Sequence, residues 1–194
     1  DIYDEMESLA VHEKINLKSL DSNSLKKFLV DQDIGIACSG LAYYILNAES
    51  ENRGEGTLDR HLSFPFCKGI FGKAVCKMRP VENAGVSTFA HEKNSREINL
   101  KDAQPGDIIT FIDDDRNHIL KIHQIEYQNF VPTLLHYTHS IAYPEDGEYG
   151  HGVRQGWIEI TDPTKAIIQQ NWSEKYLSEK ADNSTITLRR LLFL

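Results

Sequence analysis

Cys38 is the residue of this chain with the clearest capacity for chemistry. It stands in the stretch Ile34-Gly35-Ile36-Ala37-Cys38-Ser39-Gly40-Leu41-Ala42-Tyr43-Tyr44-Ile45-Leu46. A short apolar approach meets the thiol, and two small residues follow it. Cys38, Leu41, Ala42 and Ile45 then recur at i, i+3, i+4 and i+7, which is one face of a helix. The spacing predicts a helix whose first turn carries the sulfur. A helix N-terminus offers unpaired N–H groups and partial positive charge, and both favour the nucleophilic thiolate. Ser39 and Gly40 leave room for a substrate to approach. The competing reading is a core thiol on a buried helix face, since free cysteine is among the most buried residue types.

A thiol nucleophile needs a base, and the base needs a third group to orient it. The chain has eight histidines. His118 follows a polar turn and opens a β-rich run, Asn117-His118-Ile119-Leu120. His139 sits in the next such run, Tyr137-Thr138-His139-Ser140. Adjacent antiparallel strands would set the two rings side by side, and a helix packed over them would bring Cys38 there. His123 is the rival base, but alternation places it on the other face of its strand from His118. His136 faces away from His139 only if their strand is regular. His151 lies in a Gly-rich loop and is a candidate cleft residue. His12, His61 and His91 are expected at the surface.

The elements that must position these residues follow from periodicity. Residues 2–13 and 24–30 read as helices, with Asp21, Ser22 and Ser24 as N-cap candidates for the second. The Cys38 helix is expected to end near Ala48. Residues 49–99 are broken by glycines and prolines and read as a long, partly irregular insertion flanking the cleft, where loops of this length often bind ligands. From Leu100 the character changes. A turn at residues 101–107 leads to strands at 108–112, 118–127, 134–143, 157–161, 166–172 and 185–192. The connection at 128–133 reads as long. Helices first and consecutive strands later predict an α+β fold, an antiparallel sheet with helices packed on it, in a single domain over 1–194.

Composition sets the remaining bounds. The formal net charge is −8, and no basic block appears, so a nucleic-acid partner is not expected. No run of apolar residues is long enough for a membrane span. No signal peptide is visible, and since the chain opens on Asp1 this says nothing of compartment. Cys67 and Cys76 lack the companion ligands of a zinc site, so no metal is expected, and two unpaired thiols are expected over a disulfide. Asp113-Asp114-Asp115 lacks the glycine and closing glutamate of a calcium loop and reads as a solvated turn.

The segments "IACSGLAYYIL", "LKDAQPGDIITF", "NHILKIHQI" and "HYTHSIAY" together resemble the NlpC-type branch of the papain-like cysteine peptidases. That family has a Cys-Ser-Gly opening a helix, a Pro-Gly-Asp turn into a strand, a His on the next strand and a His or other polar residue on the one after. The resemblance covers residues 30–48 and 100–162. It departs at Ala37, where the family usually has Asp, and in the length of 49–99. It implies a papain-like thiol hydrolase without cofactor, cleaving an amide bond in a peptidoglycan stem peptide of the bacterial cell wall, and hence a place at the cell envelope. Cys38 would be the nucleophile, His118 the base and His139 the orienting residue. The Cys38 backbone N–H would supply part of an oxyanion hole. Gln32, six residues before Cys38, matches the spacing of the papain-like oxyanion glutamine. Ser39 and His151 complete the cleft candidates. An acyltransferase or deamidase on the same fold, and a catalytically inactive cell-wall binding module, are the competing readings.

Overall fold

A computed structural model describes residues 2–32, 35–113, 117–142, 147, 150–179 and 184–193. The chain divides into two compact units, one of residues 1–37 and 140–153, the other of residues 38–139 and 154–194.

In the first unit, α1 (Ile2–His12) and α2 (Ser22–Asp31) flank a 3-10 turn at Leu17–Ser19. Asp21 is the cap chosen among the candidates before α2. Its carboxylate accepts from Ser24 N–H at 2.7 Å, satisfying an otherwise unpaired helix donor. The same bond holds its pKa below the ordinary carboxyl value. Among the described residues, Ala10 and Phe28 are the buried apolar side chains of these helices.

The second unit is α+β. Its helices are α3 (Cys38–Asn52), α4 (Gly69–Met78), α5 (Pro80–Asn83), α6 (Val86–Ala90) and α7 (Lys175–Glu179). The strands are β1 (Ser95–Glu97), β2 (Ile108–Ile112), β3 (His118–Gln128), β4 (Val131–Ala142), β5 (His151–Glu159), β6 (Asn171–Trp172) and β7 (Thr185–Leu191). They form one sheet in the order β1-β7-β2-β3-β4-β5-β6, and β2 is antiparallel to both β3 and β7. The central strand β2 is buried on both faces, which is why Ile108-Ile109-Thr110-Phe111 runs apolar without alternation. Thr110 is tolerated there because its hydroxyl meets Thr187 on β7 at 3.0 Å.

Three expectations need correction. Residues 166–172 were expected as one strand, but Ile167–Gln169 is a 3-10 turn and only Asn171–Trp172 pairs with β5. The Gln170 amide organises this bend, accepting from Thr161 N–H at 2.9 Å and donating to Asp162 O at 2.8 Å. The connection between β3 and β4 is not long. Both strands extend into it, leaving Asn129 and Phe130 as a two-residue hairpin with φ of 50° and 65°. Positive φ at both positions matches the twist of the strands. Cys67 and Cys76 are not free thiols but form a disulfide. The polar turn at 113–117 lies partly outside the described residues.

Residues 49–99 are more ordered than their punctuation suggests. Leu58, Leu62, Phe64, Ala84, Val86 and Phe89 share a core with Tyr43 and Leu46 of α3 and with Ile108 and Ile119 of the sheet. Buried Asn94 ties this segment together, bonding the backbone of Ser63 through both N–H and C=O at 2.7 Å.

Two polar clamps fix the strands and α3. Asp107, buried after the Pro105-Gly106 turn, takes two hydrogen bonds from the Arg190 guanidinium, at 2.7 and 2.9 Å. The bidentate geometry ties the start of β2 to β7. Near the far end of α3, Glu49 pairs with Lys121 of β3 at 2.8 Å, the lysine side chain only 4% exposed. Gly106 sits over this pair. Its φ of 108° suits glycine, and a Cβ there would crowd the Glu49 carboxylate at 3.2 Å.

Candidate active site

Helix α3 delivers its first residue to the start of β3. Cys38 is half-buried at the edge of the core. Its sulfur lies within hydrogen-bonding range of the backbone N–H groups of Ile119, Ser39 and Cys38 itself. Two of these are first-turn donors of α3, which have no partner within the helix. The third belongs to the residue directly after His118. Burial outweighs all three and pushes the thiol above its ordinary pKa. The sequence argument, that the helix N-terminus favours the thiolate, is outweighed here by burial. The thiol needs a base to lose its proton.

The pairing register sets the histidines beside each other. Lys121 stands opposite Thr138 on the β3–β4 ladder, and the ladder carries His118 and His139 to one neighbourhood. His118 Nε2 and His139 Nδ1 are 2.8 Å apart, with the rings edge to face. His139 is fully buried, and its Nε2 lies 3.0 Å from Glu174 Oε2. That distance is short for an ion pair, yet the ring nitrogen has no well-aligned hydrogen-bond partner among the described residues, so the contact is electrostatic rather than a directed bond. Tyr137 donates its hydroxyl to the same carboxylate oxygen at 2.7 Å. An ionised carboxylate only accepts, so it favours the proton of His139 on Nε2. Nδ1 of His139 then accepts from Nε2–H of His118, and Nδ1 is the ring nitrogen of His118 left with basic character.

Aromatic rings wall this chain of polar groups. Phe111 packs edge-on to His118 with centroids 6.1 Å apart, and Trp172 lies between Phe111 and Tyr137 at 6.0 and 5.8 Å. Trp172 is anchored by its indole N–H, which donates to Ile167 O at 3.1 Å. Gly156 on β5 makes the arrangement sterically feasible, because a Cβ there would overlap the Tyr137 phenol. A glycine inside a strand is the sequence mark of such a close approach.

Cys38, Ser39, His118 and His139 all belong to the second unit. Gln32 and His151 belong to the first. Gln32 closes α2, its backbone N–H donating to Phe28 O at 3.1 Å. His151 Nε2 is 3.1 Å from Ser140 Oγ, whose hydroxyl donates to Ile36 O at 2.6 Å, and the His151 ring lies over Gly35. His123 is exposed at a register shift of β3 and contacts Thr138 Oγ1 at 3.0 Å, while His136 pairs with Glu126. His61 is not a plain surface residue. Its ring stacks on Phe193 and its Nε2 meets Glu55 O at 2.8 Å.

Sequence reasoning missed Glu174, Tyr137 and Trp172. Glu174 precedes a five-residue helix and has no periodic context, so only Gly156 carried a signal of the packing it joins. Among the described residues no cluster of histidine, cysteine, aspartate or glutamate could hold a metal ion. No described helix is long and apolar enough to cross a membrane. No family model, no curated protein and no solved structure matches the chain.

Proposed function

We propose that the protein is a thiol hydrolase of the NlpC-type, papain-like kind, cleaving an amide bond in a peptidoglycan stem peptide. The observation that carries this reading is the 2.8 Å contact between His118 Nε2 and His139 Nδ1, on the strand whose next amide faces the Cys38 sulfur. A thiol at a helix N-terminus, a histidine held in one tautomer and a partly buried carboxylate behind it match the nucleophile, base and orienting groups of acyl transfer.

In the cycle, His118 Nδ1 takes the thiol proton as Cys38 attacks the amide carbonyl. The backbone N–H of Cys38 supports the oxyanion. The tetrahedral adduct collapses, the C–N bond breaks, and His118 gives its proton to the leaving amine. Water then attacks the thioester with His118 again as base, releasing the acid and restoring the thiol. His139 and Glu174 stabilise the imidazolium formed in both halves. Residues 49–99 are the natural source of specificity, since α6 reaches the turn before His118 through Ser87 and Asn117 at 3.2 Å.

The test is to incubate the protein with soluble stem peptides and follow products by mass spectrometry. The expected result is a new amine and acid differing from substrate by one water, with an acyl adduct on Cys38 trapped by rapid acid quench. An adduct passed only to added amines would make the protein an acyltransferase. Stem peptides left intact, with no adduct on Cys38, would overturn the reading in favour of a binding module.

A further inference from the structure

We propose that α4 and the cationic cleft beside it form a docking face for an anionic lipid surface. The chain as a whole carries a net charge of −8, yet residues 66–79 contain four basic side chains and no acidic one. On α4 the outward side is apolar. Ile70 is 87% exposed, Phe71 89% and Met78 74%, and Phe66 stands beside them at 61%. With 3.6 residues per turn, Ile70, Phe71, Val75 and Met78 share that side, and Lys73 and Lys77 border it. An outward apolar ridge edged by lysines is the pattern of a helix lying in a bilayer interface.

The two lysines also line a cleft of about 350 Å³ together with Arg60, Lys93, His61 and Pro65. No carboxylate lines it, and among the described residues none of its four permanent cations is held in an ion pair. Unpaired cations converging on one concave site repel each other, and an anion relieves that repulsion. The cleft and the ridge are continuous through Lys73 and Lys77. A bilayer offers the matching layers in the same order, phosphodiester charge at the surface and hydrocarbon beneath it.

The disulfide explains why the apolar side chains stay outward. Cys67 precedes α4 and Cys76 lies in its last turns, buried in the core. The crosslink pins the inner face of the helix, so the ridge cannot roll inward to bury Phe71 and Ile70.

The experiment uses the full, disulfide-intact chain in flotation with phosphatidylcholine vesicles, with and without phosphatidylglycerol, at low and high salt. Binding is expected only with phosphatidylglycerol and to weaken with salt. Phe71→Ser should lower partitioning about tenfold. Lys73→Glu with Lys77→Glu should lower it by about fivefold or more per lysine and flatten the salt dependence. These side chains are exposed, and unchanged near-ultraviolet circular dichroism would verify that the variants fold. Equal binding to neutral vesicles, no binding at low salt, or binding unchanged in both variants would overturn the proposal. So would glycerol phosphate displacing the protein while Phe71→Ser has no effect, which would mark a site for soluble anions. Concentration-dependent dimers that Phe71→Ser dissolves, with no vesicle binding, would assign the ridge to a second copy instead.

Discussion

In the proposed cycle Cys38, His118, His139 and Glu174 act in series, so their losses should differ in size. Cys38→Ala should abolish turnover of the stem peptide. His118→Ala should cost on the order of 10²–10⁴ in kcat. Combining it with Cys38→Ala should cost no more than Cys38→Ala alone, because nucleophile and base work as one unit. Glu174→Gln removes only the charge behind His139. The charge acts on the imidazolium through an electrostatic contact rather than a directed hydrogen bond, so kcat should fall by about tenfold or less while KM stays near its parent value. A purely structural role for Glu174 would instead lower stability and leave the pH profile unmoved. Burial holds the Cys38 thiol above its ordinary pKa of 9.0, so the neutral form dominates at rest. Alkylation by iodoacetamide should therefore accelerate with pH through a midpoint above that value. A midpoint in the acidic range would mean a preformed thiolate and would reverse this account of the base.

At the scale of elements, helix α3 matters because it carries Cys38, the proposed nucleophile, and the Glu49–Lys121 pair near its far end holds it on β3. Both pKa values fall, for opposite reasons. Burial raises the Glu49 pKa, but Lys121 and Arg53 outweigh it and the carboxyl ends below its ordinary value of 4.5. For Lys121 burial dominates, and its pKa falls despite the carboxylate. We take the pair as close to break-even overall, since desolvation of the lysine offsets what the attraction returns. Breaking it is another matter. Glu49→Ala strands a buried ammonium and should cost about 3 kcal/mol in urea unfolding, whereas Glu49→Leu with Lys121→Met should recover most of that loss. The fold favours the charged carboxylate. Its contribution is full above pH 4.5 and is lost as pH falls through the lowered value, so Glu49→Gln should blunt acid destabilisation. Strand β5 makes the same point with one atom. Gly156→Ala should displace the Tyr137 phenol from Glu174 and reduce kcat, with circular dichroism of the sheet retained.

For the whole molecule the disulfide supplies the accessible test. Three cysteines and one crosslink leave Cys38 as the free thiol. Thiol titration of the denatured, unreduced chain should count one group, and reduction should raise the count to three. Cys67→Ser with Cys76→Ser opens a short loop, for which chain entropy gives about 2–3 kcal/mol, a fall in Tm of roughly 5–10 °C. The crosslink ties α4 to the core formed by residues 58–89 with α3 and the sheet, so hydrogen exchange should rise there first.

The sequence by itself determined what local patterning encodes. The helical spacing after Cys38 predicted α3, although the helix continues to Asn52, past the expected end near Ala48. Asp21 was a legible cap, and the β-rich run 108–112 matches β2 within the α+β arrangement. His118 and His139 were picked out because adjacent antiparallel strands can set their rings side by side, and the register of β3 on β4 does so. Glu174 was not legible, because its approach to His139 depends on strand order β4-β5-β6, a pairing across the chain that no local period records. The bend at 167–169 escaped for a related reason. Its residues have strand propensity, and only the Gln170 side chain, folded back on Thr161 and Asp162, decides otherwise. Whether Cys67 and Cys76 pair likewise depends on distance in space, set by how the segment before α4 lies against the helix. The direction of the Cys38 pKa was decided by burial, a property of the packed core rather than of the helix that presents the thiol.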